Sequence, residues 1–148
     1  MAQMKRGANV ALTREVPNLT RLVIGMAWNA GAETALSDNL VSAALLCGRD
    51  GKARAESDFV FFNQLASPEL SVQDLERAVG EDKDQIEIDL AAVPADVERI
   101  VALLYVNEGP AQRRTLGQLR SCVVRVLNAA DNSELVRSED LAGALSTE

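Results

Sequence analysis

Short β-rich runs recur along this chain at near-regular spacing, each closed by glycine, proline, aspartate or asparagine, and no long amphipathic helical pattern interrupts them. That recurrence restricts the fold more than any other feature, because short strands separated by tight turns bury their apolar faces by stacking one sheet on another. Residues Arg21 to Trp28 are apolar on both faces and read as a central strand. Leu40 to Cys47 reads as another, with a helix as the alternative because Ala and Leu favour one. The turn Arg49-Asp50-Gly51-Lys52 favours strands on both sides, Asp-Gly being the strongest short-range hairpin signal. Further strands are expected at Val10 to Thr13, Asp58 to Asn63, Ile86 to Leu90, Arg99 to Val106, Ser121 to Leu127 with Arg125 on the wet face, and Glu134 to Arg137. Ser71 to Val79 carries a Ser cap, an acid at the third helical position and apolar Val72, Leu75 and Val79, which predicts a helical turn or two. Val93-Pro94-Ala95-Asp96-Val97 predicts a turn. The fold class expected from these elements is all-β, an antiparallel two-sheet β-sandwich with short helical turns.

At 148 residues the chain suits a single domain, residues 1–148, able to bury one core without disulfides or metals. A formal net charge of −7 argues against a nucleic-acid partner, since phosphates are repelled by an acidic surface, and leaves divalent cations open. There is no histidine, which removes Ser-His-Asp and Cys-His catalysis, His-ligated metals and the usual general base near neutral pH. Cys47 and Cys122 lie singly in apolar runs and read as buried small hydrophobes. The first residues hold Lys5 and Arg6 but no apolar run after them, so no secretory signal or transmembrane segment is expected, and the chain reads as cytoplasmic. Trp28 reads as a core or rim plug.

The densest acidic patch adjoins the clearest strand pattern, in Gly80-Glu81-Asp82-Lys83-Asp84-Gln85-Ile86-Glu87-Ile88-Asp89-Leu90. Ile86, Ile88 and Leu90 give the strand an apolar face, while Asp82 and Asp84 project from the loop that feeds it. A loop carboxylate pair beside a rigid strand suits a cation, and equally suits a solvated strand end. The stretch is no EF-hand, since it lacks the third ligand, the turn glycine and the closing Glu. A hydrolase built on Asp82 and Asp84 has little to support it: both fall on one short loop, and no second catalytic segment is evident.

Five segments, in order and spacing, resemble the TerD family of bacterial tellurite-resistance and stress-response proteins: Lys5 to Thr13, Ile24-Gly25-Met26-Ala27-Trp28-Asn29, Asp58 to Leu65, Val93 to Val97, and Gln112 to Leu119. The resemblance implies a two-sheet β-sandwich with acidic loops at one end that bind calcium in typical members, no enzymatic reaction, and work through other proteins, Ter-family members or copies of itself, in assemblies peripheral to a membrane. Calcium takes several hard oxygen ligands, which loops gathered at a sandwich end can converge. The ligand set so implied is Asn29, Asp38, Asp82 and Asp84, with Asp58 as a further candidate.

This chain departs from the family pattern at those loops. Ala27-Trp28-Asn29 stands where typical members have Gly-Trp-Asp, and Asp38-Asn39-Leu40-Val41-Ser42 where they have Asp-Leu-Asp-Ala-Ser, so Leu40 replaces a ligand. The long acidic loop shrinks to Gln73 to Gly80, followed by Asp82-Lys83-Asp84. An inward ammonium at roughly 4 Å would oppose a bound cation by about 4 kcal/mol at an effective dielectric near 20. The expectation is therefore a non-enzymatic stress-response domain with degenerate calcium loops, calcium bound weakly or not at all, acting through protein interactions. The alternatives are a working calcium-binding domain, or a scaffold subunit assembling through its sheet edges. Typical members also continue for a strand or two past the point where this sequence ends, so a truncated C-terminus with an uncovered sheet edge is a further expectation.

Overall fold

A computed structural model describes residues 2–5, 7, 9–32, 36, 38–75, 82–107 and 116–144. Among them the strands are β1 (Ala2–Met4), β2 (Arg21–Asn29), β3 (Leu40–Cys47), β4 (Phe59–Val60), β5 (Val72–Asp74), β6 (Asp84–Asp89), β7 (Arg99–Val106), β8 (Ser121–Asn128) and β9 (Glu134–Ser138). They form a six-stranded sheet in the order β1-β9-β8-β2-β6-β5 and a three-stranded sheet in the order β4-β3-β7. The expected all-β sandwich is present.

Strand periodicity explains the packing. From β2, Leu22, Ile24, Met26 and Trp28 point between the sheets, and from β6 Ile86 and Ile88 join them, since β2 and β6 pair with Ile24 opposite Ile86 and Leu22 opposite Ile88. The even-numbered residues of β3 and β7 face them from the other sheet: Ala44, Leu46 and Ile100 at one end, Leu40, Ala102, Leu104 and Val106 at the other. Trp28 and both cysteines are buried, as their apolar surroundings in the sequence indicate. Burial, and secondarily the negative charge of Asp140, pushes the Cys122 thiol above its ordinary pKa, which keeps it protonated and unreactive.

Four sequence expectations are corrected. Val10 to Thr13 is not a strand: Leu12–Glu15 closes a single helical turn, with the amides of Arg14 and Glu15 donating to the Ala11 carbonyl and Val16 to Leu12. Leu, Arg and Glu favour that turn, and Pro17 ends it. The first strand is instead Ala2–Met4, which pairs parallel to β9, so the sandwich is not wholly antiparallel. Within the stretch expected as a helix, Val72–Asp74 is a strand on β6, Val72 opposite Ile88 and Asp74 opposite Ile86; residues 76–79 lie outside the described residues. The supposed Ser cap is buried, and Ser67 Oγ accepts the Val72 amide at 3.1 Å, so a sheet partner outweighs the local cap signal. Finally, the Asp50-Gly51 turn, closed by Gly48 N donating to Lys52 O at 2.9 Å, leads into a single bridge, Cys47 to Ala53, rather than a second long strand. Glu56–Asp58 then forms a 3₁₀ turn before the two-residue β4.

Candidate functional site

The sandwich opens at the end where β2, β5 and β6 face the start of β3. Asp84 begins β6 opposite Met26, an inward position, and so projects across the gap, where the Ser42 hydroxyl of β3 donates to its carboxylate. Asp74, opposite Ile86, is inward by the same alternation and only 7% exposed. Asp38 approaches from the segment before β3 and is exposed. Together with Trp28, Asn39, Phe62, Lys83 and Asn107, these side chains line a cleft of about 360 Å³.

Of the ligands expected from the sequence, the structure brings Asp38 and Asp84 to this cleft and leaves Asn29 and Asp82 outside it. Asn29 ends β2 one residue after inward Trp28, so it points away, and its Oδ1 accepts the Gly31 amide at 2.8 Å. Asp82 turns to the outer side of the six-stranded sheet, where Arg125 of β8 grips both carboxylate oxygens at 2.8 and 3.0 Å and Gln85 Nε2 donates at 2.7 Å. Its side chain is fully buried over Gly25, where an added Cβ would lie 2.6 Å from the Asp82 carboxylate carbon. Arg125 is thus on the outer face, as expected, but is spent on Asp82 rather than on solvent.

Asp58 is held toward the opposite end of β3. Arg54 donates to both its oxygens, at 2.8 and 2.9 Å, and also reaches Asp96 at 2.8 Å. The Arg54 hydrogen bonds keep the Asp58 carboxyl below its ordinary pKa despite burial, and the guanidinium is correspondingly raised. Asp58 is therefore a partner in a structural ion pair at the far end of the molecule.

The cleft's missed member is Asp74. In sequence it reads as the acid at the third position of a helical turn; only the pairing with β6 turns it inward. Val72-Gln73-Asp74 reads apolar, polar, polar in sequence, so the buried, exposed, buried alternation of these residues shows only in the fold.

The donor set is hard oxygen throughout: the carboxylates of Asp38, Asp74 and Asp84 with the amides of Asn39 and Asn107, a chemistry that suits calcium more than a soft metal. The placement suits it less. No three acidic side chains converge closely enough to hold a metal ion among the described residues. Lys83 also lines the cleft, with its backbone amide donating a hydrogen bond to the Met26 carbonyl at 2.7 Å. Among the described residues, the arrangement does not fit a tightly bound calcium ion.

The sequence pattern of the TerD domain family matches residues 1–148. The chain is 31% identical over 149 residues to the tellurium resistance protein TerD of Serratia marcescens, spanning 98% of this chain and 77% of that one. It is likewise 31% identical over 150 residues to general stress protein 16U of Bacillus subtilis (strain 168), with the same coverage. Among solved structures, a homologue of telluride resistance protein (TerD) from Streptomyces coelicolor A3(2) superposes with a TM-score of 0.57 at 15% identity, covering 81% of this chain and 71% of that chain. A protein of unknown function superposes with a TM-score of 0.62 at 14% identity, covering 84% and 73%. The sandwich is thus shared with these structures, and the whole-length match of sequence carries the assignment: the chain belongs to the TerD family.

Proposed function

We propose that this chain is a stress-response domain of the tellurite-resistance type that catalyses no reaction, acts through contacts with other proteins, and binds calcium weakly or not at all. The observation that carries the calcium part is the composition of the inter-sheet cleft. Asp82 is withdrawn to Arg125, and Lys83, the residue between Asp82 and Asp84, adds a positive charge to the cleft that Asp74 and Asp84 line. The absence of histidine from the sequence favours a role without general acid-base catalysis. The relatives' names, tellurium resistance protein and general stress protein, support the physiological setting.

Calorimetric and thermal-melt titration with calcium chloride tests the reading. The expected outcome is no saturable heat and no rise in melting temperature at millimolar calcium, whereas Lys83→Asp gains a calcium-dependent rise. A wild-type melting temperature that climbs with calcium as mass action requires, about 2.7 kcal/mol at a hundredfold excess over Kd, would replace this reading with that of a working calcium-binding domain. Expression in a tellurite-sensitive bacterium tests the setting, with increased tolerance expected.

No helix among the described residues is long and apolar enough to cross a membrane. In this reading partners meet the domain at its surface, as a peripheral assembly with Ter-family proteins or as further copies of the chain.

A further inference from the structure

The two sheets are unequal, six strands against three. β4 lies against β5 and β3 against β6, so β7 follows over β2, where Ile24 packs beside Ile100 and Ala102. That leaves the inner side of β9 and β1, and much of β8, without a facing strand among the described residues. The inward side chains record the difference. Leu40, Ala44 and Leu46 of β3 and Leu22 and Met26 of β2 are buried, whereas Ile100, Ala102, Leu104 and Val106 of β7 and Val124 and Val126 of β8 stay partly exposed. Val124, Val126, Val136 and Met4 floor an open groove of about 190 Å³ at this place, which Leu141 also lines.

Beside the groove runs an unpaired edge. Among the described residues β7 pairs only with β3. Asn107 N donates to Asn39 O at 2.7 Å in register with that pair, so the odd-numbered residues of β7 direct their backbone groups to β3. The even-numbered residues, Ile100, Ala102, Leu104 and Val106, therefore turn their N–H and C=O groups to the open side, while the same four side chains face inward. Eight residues long, with no proline, lysine or bulge, this strand lacks the features that usually protect an edge from pairing.

We propose that the β7 edge and the groove take an added β-strand, an extended segment of another polypeptide paired antiparallel to β7 with alternate apolar side chains set on Val124, Val126 and Val136. This rests on the reading that the domain acts through protein contacts, and it names the contact. Geometry selects the occupant. A second copy pairing β7 to β7 about a two-fold axis would bring its own overhanging β9 and β1 into the space that the first copy's β9 and β1 fill, so a folded copy does not fit. An isolated strand carries no second layer and does fit. Residues 108–115, with Pro110, Arg113 and Arg114, and residues 145–148, with one apolar side chain, lack the alternation that such a strand needs. A single strand buries less than the roughly 1,200 Å² at which standard interfaces begin, so the contact is reversible.

Fluorescence anisotropy with a labelled octapeptide alternating valine and threonine is the test. Residues directly opposed in an antiparallel pair share a face, and those that turn their backbone groups to each other alternate with those that do not. Inward valines opposite Ile100, Ala102, Leu104 and Val106 are therefore also the residues bonded to β7. Methylating the threonine amides leaves binding intact and stops the peptide from stacking on itself, whereas methylating the valine amides weakens binding at least about tenfold. Ala102→Pro removes an edge N–H without touching the bonds to β3 and also weakens binding about tenfold; Val126→Lys, which puts a charge on the groove floor, abolishes it. With the threonine-methylated peptide bound, hydrogen exchange slows at the amides of Ile100, Ala102, Leu104 and Val106 and is unchanged at Val101 and Leu103. No binding, equal binding of the two peptides, preference for the valine-methylated one, or edge amides left unprotected would each overturn the proposal, whether or not Val126→Lys folds. The calcium and tellurite measurements use no peptide, so loss of this site leaves them to decide the broader function on their own.

Discussion

Asp82 and Arg125 are the pair whose fate is most sharply decided at the scale of single residues. Two hydrogen bonds join an aspartate with a fully buried side chain to an arginine only 15% exposed, and Gln85 adds a third. Removing one partner strands the other's charge away from water, which costs far more than the pair contributes when intact. Arg125→Met is expected to lower unfolding free energy by about 3–5 kcal/mol, and Asp82→Asn combined with it to recover part of that loss. Urea denaturation of the single and double variants checks this; equal losses in both would show that Arg125 stabilises by packing alone. The sequence showed an acid in a loop and an arginine on a strand face some forty positions apart. It held no sign that they meet, because the contact depends on β2 lying between β6 and β8 and on Gly25 leaving room for a carboxylate.

At the scale of elements, the longer strands were legible, β2, β3 and β7 as continuous apolar runs and β6 and β8 by alternation, and with β9 they lie within a residue or two of where the sequence places them. The short elements were not. Leu12–Glu15 and Val72–Asp74 are governed by what they touch, and a four-residue or three-residue pattern cannot outvote a neighbouring strand. The turn that feeds β5 carries a visible cost. Leu70 has φ of 62° and is 60% exposed, so a branched side chain sits in the left-handed region with little burial in return. Leu70→Asn is expected to stabilise the chain by roughly 0.5–1 kcal/mol, read as a higher melting temperature. A lower one would mean that Leu70 makes packing contacts that outweigh its backbone strain.

For the whole molecule, the buried ion pair of Arg54 with Asp58 makes stability depend on pH. The Arg54 hydrogen bonds hold Asp58 below its ordinary value of 3.8, so the folded state binds its proton less readily than the unfolded chain does. This contribution is complete above 3.8 and is lost as pH falls below it toward the depressed folded-state value. Asp58→Asn should flatten the acid limb of a plot of melting temperature against pH, while leaving the shape near neutrality unchanged. An unaltered acid limb would assign the loss to other carboxylates. The sequence by itself determined the fold class, the strands with one buried face, the burial of Trp28 and both cysteines, and the family, because each is written in local alternation or in the order of segments along the chain. Only the tertiary structure decided which acids share a cleft. Asp74 enters it and Asp82 leaves it because a one-residue step along a strand or its loop sends a side chain to the opposite face, and sheet pairing fixes that step with partners distant in sequence.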